Sequence, residues 1–117
     1  MEICPVLDSL DLVGKKWTFV LLQQLMLHGD DGFNALLKQM KNISPKVLSQ
    51  RLKSCERAEL IVRTVSRRAP CVSTSYRLTS KGQDLYGLLL AFQTWACRYT
   101  PTPLFCEQTS CAECRFL

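Results

Sequence analysis

The segment that decides the fold is Ser44-Pro-Lys-Val-Leu-Ser-Gln-Arg-Leu-Lys-Ser-Cys-Glu56. Ser44 is a favourable N-cap residue, and Pro45 suits the first helical position because its missing N–H would have no partner there. One side of the predicted helix carries Leu48, Leu52 and Cys55. Another side carries polar and basic residues at helical spacing, namely Lys46, Ser49, Gln50 and Lys53. The segment therefore predicts a helix with one packing face and one outward face.

Basic residues are concentrated around this helix. Nine basic and two acidic residues lie between Lys38 and Arg68, whereas the rest of the chain has six basic and eight acidic residues. The formal net charge of +5 is therefore a local patch. A patch of this kind indicates a binding face, and nucleic acid is the expected partner because the helix could enter a DNA groove.

The bulk properties favour one domain. A chain of 117 residues with 47% apolar residues is sufficient for one hydrophobic core. No apolar run approaches the roughly 18 residues that cross a bilayer, and the start, Met1-Glu-Ile-Cys-Pro-Val6, does not have the order of a signal peptide. We expect a cytoplasmic protein without membrane contact. Its seven cysteines then indicate metal ligands, redox thiols or core residues more than a disulfide framework.

Two helices are predicted before the basic segment. Trp17, Val20, Leu21, Gln24 and Leu25 have the spacing of an amphipathic helix that ends before His28. A turn follows at Gly29–Gly32. The next apolar residues recur at positions i, i+3, i+4 and i+7, which predicts a second short helix ending near Lys41; they are Phe33, Leu36, Leu37 and Met40.

A hairpin and a long helix are predicted after the basic segment. Residues 60–66 are rich in β-branched side chains, residues 67–71 form a basic tip, and residues 72–79 alternate as a second strand. Thr79 or Ser80 can cap a final helix, which Pro101 and Pro103 stop. The apolar surface of this helix is wide enough to favour a partner helix. The fold class is therefore mainly α with a small antiparallel β-hairpin.

This order of elements is that of a winged helix-turn-helix, and the residues resemble the HxlR family. Five segments carry the resemblance in the right order: Cys4-Pro5, Leu12-Val-Gly-Lys-Lys-Trp17, Ile43-Ser-Pro-Lys-Val-Leu-Ser-Gln-Arg-Leu-Lys53, Leu60-Ile61 followed by Arg63, and Tyr76-Arg-Leu-Thr-Ser-Lys-Gly82. Together they span about the first 99 residues. Three departures from the family pattern are present. Gly32 stands where a basic residue is usual, Glu59 stands where glycine usually precedes Leu60, and residues 70–76 are lengthened and lack the usual acidic residue before Tyr76.

The resemblance implies a MarR-like transcription regulator that dimerises through its terminal helices. It implies a homodimer on a palindromic operator, most simply as a repressor, and no catalysis. The sequence itself contains no phosphate-binding glycine loop, no nucleophile with a histidine placed by motif and no recognisable carboxylate pair. We divide the chain into an HxlR-type winged helix-turn-helix domain at residues 1–100 and a cysteine-rich C-terminal tail at residues 101–117.

Candidate DNA contacts follow from a helix lying in the major groove. Lys46, Ser49 and Gln50 are expected to read base edges, and Gln50 could pair bidentately with adenine. Phosphate contacts are expected from Lys41, Arg51 and Lys53. Arg67 and Arg68 could reach the adjacent minor groove or the backbone from the hairpin. The alternative for all of them is a solvated basic face.

The tail carries a compact group of thiols with the spacing Cys106-x4-Cys111-x2-Cys114, and Cys97 lies one short loop upstream. Four thiolates could bind zinc, for which C-x2-C is typical, or an iron–sulfur cluster, whose ligands can follow C-x4-C-x2-C with a distant fourth cysteine. Spacing does not separate these two, and free thiols or disulfides are a third alternative. For Cys97, a small buried residue is the competing interpretation.

Cys4 is a candidate redox sensor on the resemblance alone, because several members of the family sense oxidants or electrophiles through a cysteine at this position. Such a thiol could form a disulfide with a cysteine of a partner subunit. The alternative for Cys4 is an unreactive N-terminal thiol. Cys55 is expected in the core, Cys71 is a minor candidate for reactivity, and His28 is expected at the surface.

The sequence thus predicts a sequence-specific DNA-binding regulator that responds to redox, electrophile or metal-centre state through its cysteines. The main alternative is a metal- or redox-carrying protein that uses a winged-helix fold for protein contacts. A constitutive DNA-binding protein, whose tail cysteines only order the C-terminus, is the third.

Overall fold

The computed structural model describes residues 4–29, 31–68 and 71–99. This part of the chain contains five helices and two strands. Four of the helices and both strands follow the predicted order, and the fifth helix lies before them at the N-terminus. Their bounds are α1 Pro5–Val13, α2 Thr18–His28, α3 Phe33–Gln39, α4 Pro45–Arg57, β1 Ile61–Arg68, β2 Cys71–Leu78 and α5 Ser80–Arg98. The winged helix-turn-helix architecture is therefore confirmed. The predicted tail, residues 101–117, lies outside the described residues.

Helix α2 is the centre of the core. Thr18 and the residues from Val20 to Leu25 are buried, so its first two turns are covered on nearly all sides. The sequence predicted a one-sided amphipathic helix here. The difference arises because α1, α3, α4, β2 and α5 all pack around α2. Its third turn is exposed, from Met26 to His28, as expected for His28.

Helices α3 and α4 form the helix-turn-helix. The turn between them is closed by the Ile43 N–H, which donates to the Met40 carbonyl oxygen over 3.0 Å. Leu36 and Met40 from the first side of the turn, and Leu48 and Leu52 from the second, join one buried cluster. Burying a leucine side chain contributes about 2 kcal/mol, so this cluster fixes α4 against α2 and α3.

The two strands of the hairpin extend further toward its tip than predicted. Its antiparallel register runs from Ile61 opposite Leu78 to Arg68 opposite Cys71. The strands therefore include Arg67 and Arg68, which the sequence placed in the tip. A bridge from the α2–α3 connection adds to β2, since Asp31 N–H donates to the Tyr76 carbonyl oxygen (3.2 Å) and Tyr76 N–H donates to that of Asp31 (2.8 Å).

Helix α5 begins at Ser80 because Thr79 caps it. The Thr79 hydroxyl oxygen accepts a hydrogen bond from Gly82 N–H over 3.1 Å, which decides between the two predicted caps. Its outer face carries a stripe of exposed aromatic side chains. Phe92 and Trp95 have ring centroids 5.7 Å apart, and Trp95 and Tyr99 have theirs 6.1 Å apart.

Helix α1 was not assigned from the periodicity of the sequence. It has no buried residue, and its apolar side chains are exposed; they are Val6, Leu7 and Leu10. An apolar stripe without a core to cover is a weak signal in sequence. Within residues 4–29, 31–68 and 71–99, no helix is long and apolar enough to cross a membrane.

Candidate nucleic-acid interface

The local sequence of α4 explains where it begins. The Ser44 hydroxyl oxygen accepts a hydrogen bond from Val47 N–H over 3.2 Å, and Pro45 occupies the first turn. Both observations confirm the predicted start. Leu48, Leu52 and Cys55 are buried, as predicted for the packing face. Because this side of α4 packs against the core, the opposite side of the helix faces solvent.

The outward face of α4 is polar and basic. Lys46, Gln50 and Lys53 are exposed, whereas Ser49 is only partly so. Ser49 lies on the hairpin side of α4, where it shares a groove with Lys53. Lys41 is exposed in the turn before the helix. The structure thus brings Lys46, Ser49, Gln50 and Lys53 to one surface, and their contacts with DNA stay predictions.

Arg51 has a contact that the sequence did not predict. Its Nε donates to the backbone carbonyl oxygen of Lys16 over 2.9 Å. This bond joins the middle of α4 to the connection between α1 and α2. Arg51 is also partly buried. A structural role is therefore present beside the predicted phosphate contact.

Arg67 and Arg68 are exposed near the tip of the hairpin, but they lie on opposite faces of it. Residues that are directly opposite in an antiparallel pair share a face, and successive residues alternate. Arg67 pairs with Val72 and lies on the same face as Arg63, whereas Arg68 pairs with Cys71 on the other face. The sequence treated the two arginines as a unit, and the register separates them.

Arg63 is a basic residue of the patch that was not among the predicted DNA contacts. It is exposed on β1, opposite Tyr76, and it lines the groove between the hairpin and α4 together with Ser49 and Lys53. The signal was present, since Arg63 belongs to the basic patch. The face of the hairpin on which Arg63 lies depends on the strand register, which the sequence alone did not establish.

The four described cysteines are free thiols in different surroundings. Cys4 is exposed at the N-cap of α1, Cys71 is exposed at the start of β2, and Cys97 is partly exposed on α5. Cys55 is buried as predicted, and its burial raises the pKa of the thiol to about 11, against which the positive charge of Arg51 acts. Cys55 is thus protonated at neutral pH.

The predicted metal ligands Cys106, Cys111 and Cys114 lie outside the described residues. In the part of the chain that is described, no group of three or more histidine, cysteine, aspartate or glutamate side chains could hold a metal ion. Cys97 has no such group around it among the described residues, so its role as a fourth ligand stays a prediction.

Comparison with known proteins supports the same architecture. YodB, an HTH-type transcriptional regulator of Bacillus subtilis, is 33% identical over 108 residues, which are 91% of this chain and 95% of that protein. The reduced form of YodB has a TM-score of 0.74 at 33% identity, over 86% of this chain and 97% of that one. The reduced form of the redox regulator HypR has a TM-score of 0.69 at 27% identity, over 80% and 90% of the two chains.

YodB is also known in two treated states that resemble this chain. Its diamide-treated form has a TM-score of 0.70 at 31% identity, over 85% of this chain and 97% of that one. Its quinone-bound form has a TM-score of 0.62 at 32% identity, over 83% and 100%. The family model described as HxlR-like helix-turn-helix matches residues 12–103. With this match over most of its length, the chain belongs to the HxlR-like helix-turn-helix family.

Proposed function

We propose that this chain is a transcriptional regulator that binds a palindromic operator as a homodimer, represses transcription there, and leaves the DNA when its cysteines are oxidised or modified. The observation that carries the DNA-binding part is the seating of α4. Its apolar side is buried, and its outward side presents Lys46, Gln50 and Lys53. A helix with these side chains fits the major groove, where Gln and Lys recognise base edges and phosphates.

The dimer is proposed from the two terminal helices. Exposed apolar side chains are concentrated there, with Leu7 68% exposed on α1 and Phe92 64% and Trp95 57% exposed on α5. Apolar surface of this kind is a frequent mark of an interface. A second copy of the chain is the fitting partner, because a two-fold axis would place two α4 helices on two half-sites of a palindrome.

Redox control is proposed for Cys4. Structures of YodB are known after diamide treatment and with bound quinone, and those of HypR in reduced and oxidised forms. These relatives support the proposal that the present chain also uses thiol chemistry. Cys4 is exposed beside α1, and Cys97 is the described cysteine on α5. In a dimer formed by these helices, a disulfide between Cys4 and the partner subunit's Cys97 would release two electrons and two protons to an oxidant such as diamide.

Selection of bound duplexes from a random library, followed by binding titrations over a salt series, tests the DNA-binding part. An enriched inverted repeat, with an affinity that falls linearly on a logarithmic salt scale, supports the proposal. Absence of DNA affinity at low salt contradicts it. That result, combined with redox chemistry of the purified protein, would favour the alternative of a redox- or metal-carrying protein that uses this fold for protein contacts.

Cys4→Ser tests the sensing part. Diamide should release the wild-type protein from its operator and leave the variant bound. Mass spectrometry of the non-reduced dimer identifies the partner cysteine. Release of Cys4→Ser at the same diamide concentration would remove Cys4 from the mechanism.

The C-terminal cysteines extend this proposal by one alternative. Cys106, Cys111 and Cys114, with or without Cys97, would hold zinc or an iron–sulfur cluster whose state modulates DNA affinity. Purification without oxygen, with metal and sulfide analysis and a visible spectrum, separates the two. Iron with labile sulfide indicates a cluster, and zinc alone indicates a structural or thiol-switch site. A metal-free protein that still responds to diamide leaves control to thiol chemistry.

A further inference from the structure

A polar groove of about 240 Å³ lies between α4 and the hairpin. Helix α4 contributes Ser49, Lys53 and Glu56 to it, and the hairpin contributes Arg63 and Tyr76. Two cationic residues, two hydroxyl-bearing residues and one acidic residue thus line one concave surface, beside the apolar Phe33 and Leu52. The spacing of Ser49, Lys53 and Glu56 explains their common direction, because residues four and three apart lie on one side of a helix.

The hairpin wall of this groove is held by three segments of the chain. Arg63 and Tyr76 are opposite each other in the β1–β2 ladder. On the other edge of β2, Tyr76 N–H donates to the Asp31 carbonyl oxygen over 2.8 Å, and Asp31 N–H donates to the Tyr76 carbonyl oxygen over 3.2 Å. The backbone at Arg63 and Tyr76 is therefore fixed relative to the rest of the fold, in contrast to the tip of a free two-stranded hairpin.

In the proposed complex, a DNA strand would pass along this groove. When α4 lies in a major groove and the hairpin reaches the neighbouring minor groove, the sugar–phosphate backbone that separates the two grooves runs between these elements. We propose that this groove binds one backbone phosphate, with Arg63 and Lys53 providing the positive charge and the hydroxyl groups of Ser49 and Tyr76 available as donors. This inference rests on the proposed function, and it assigns Arg63 to the binding surface.

Glu56 has an opposing role in this site. Its carboxylate lines the same groove as the two cations, so it repels an incoming phosphate while the cations attract it. Like charges placed together lower affinity and make the interaction depend on the exact position of the ligand. Removal of the Glu56 charge should therefore strengthen DNA binding through this groove.

The hairpin provides a matched control for Arg63. Arg77 is exposed on the same hairpin, but its partner in the register is Val62, which places it on the opposite face. Arg63→Gln and Arg77→Gln remove the same charge from the same element. A long-range effect of net charge would appear in both variants, whereas a phosphate contact in the groove would appear only in the first.

The experiment is a binding titration of each full-length variant with the selected operator duplex between 0.05 and 0.3 M salt, roughly the range over which phosphate contacts dominate. For Arg63→Gln we expect affinity about five- to tenfold weaker at 0.1 M salt and a salt slope lower by about 1. Arg63→Lys should retain the slope, Glu56→Gln should bind more tightly, and Arg77→Gln should remain close to the wild type. Circular dichroism melting of each variant establishes that it is folded.

Two outcomes separate this inference from the proposed function. Wild-type protein without salt-dependent DNA binding would overturn both. Wild-type protein that binds DNA while Arg63→Gln and Arg77→Gln have equal affinities and equal slopes would overturn the groove alone. If Arg63→Gln does not fold, the pair Arg63→Lys and Glu56→Gln decides, because a groove that binds phosphate predicts an unchanged slope for the first and tighter binding for the second.

Discussion

Arg51 Nε lies 2.9 Å from the backbone carbonyl oxygen of Lys16, and this hydrogen bond joins the candidate DNA-reading helix to the connection between α1 and α2. The donor belongs to a charged guanidinium group, and the Arg51 side chain as a whole is partly buried. Hydrogen bonds of this type are stronger than those between neutral groups. The orientation of α4 therefore depends on a side chain that the sequence assigned to phosphate contact alone.

Arg51→Met should destabilise the fold. We expect the free energy of unfolding to fall by about 1 kcal/mol, because a charge-assisted hydrogen bond is lost while the packing of the aliphatic stem is retained. Urea unfolding measures it, with Lys53→Met as a control, since Lys53 is exposed on the same helix. Equal stability of the two variants would show that the Lys16 contact contributes nothing measurable.

Glu59→Gly should stabilise the protein. Glu59 has φ of 60°, which is the left-handed region that favours glycine. It follows the end of α4, and Leu60 N–H closes the turn by donating to the Cys55 carbonyl oxygen over 2.9 Å. We expect a gain of about 1 kcal/mol from relief of strain. Thermal melting measures it, and Glu59→Ala is the control that removes the carboxylate but retains the strain. A gain of the same size in both variants would point to charge as the cause.

Gly82→Ala should be strongly destabilising, and Gly87→Ala should not. A methyl group on Gly82 would overlap the Leu60 carbonyl oxygen, whereas one on Gly87 would meet no atom within 4 Å. Both glycines lie inside α5, where alanine is otherwise preferred by about 1 kcal/mol. We expect the melting temperature to rise for Gly87→Ala and to fall by several degrees for Gly82→Ala. An equal rise in both would mean that α5 moves away from Leu60 at little cost.

Gln50→Ala should change which DNA is bound more than how tightly DNA is bound. A bidentate contact with one base contributes about 1–3 kcal/mol of discrimination, and Gln50 is exposed at the centre of the outward face of α4. Competition titrations with operator and random duplexes measure the effect. Equal losses for Gln50→Ala on the two duplexes would contradict base readout.

The double variant Arg67→Ala with Arg68→Ala should instead weaken operator and random DNA alike and lower the salt slope. Competition titrations with both duplexes measure this effect as well.

Cys55 should resist alkylation below about pH 9, while Cys4 and Cys71, which are exposed, react. Burial raises the pKa of the Cys55 thiol from 9.0 to about 11, so the reactive thiolate is scarce in the folded protein. Mass mapping after a short maleimide treatment measures it, with unfolded protein as the control. Rapid labelling of Cys55 in the folded protein would contradict its burial.

The same shift predicts how stability depends on pH. In the unfolded chain the thiol ionises near pH 9, whereas in the fold it stays protonated until about pH 11. The contribution of the protonated Cys55 thiol to the free energy of unfolding is therefore complete below pH 9 and is lost as the pH rises toward 11. Cys55→Ala should reduce this loss, which urea unfolding at pH 8 and pH 10 can measure.

Local signals in the sequence predicted much of this fold. Ser44 and Pro45 located the start of α4, Thr79 was one of two predicted caps of α5, and β-branched residues located β1, because each acts through neighbouring backbone atoms. The all-round burial of α2 was not predictable, since it depends on which elements pack around that helix. The same applies to the bridge between Asp31 and Tyr76, and to the bond between Arg51 and Lys16, whose partners are distant in sequence.

In the candidate site, too, features set by local sequence were predictable, whereas features set by distant residues were not. The outward residues of α4 were predictable from helical spacing, and the structure places Lys46, Gln50 and Lys53 on one exposed face. Arg63 could not be assigned without the strand register. The position of Ser49 was not predictable either, because it is the hairpin that makes Ser49 less exposed than Lys46 and Gln50.

Leu60 connects the two helices on which the proposed regulator depends. Its N–H binds the last turns of α4 through Cys55, and its carbonyl oxygen accepts from Thr79 N–H, the residue that caps α5, over 3.0 Å. One residue thus joins the helix proposed to read DNA to the helix proposed to hold the dimer together, through its own backbone N–H and carbonyl oxygen. In a dimer joined through α5, this connection would tie the distance between the two α4 helices to the dimer contact, and with it the spacing of the two DNA half-sites.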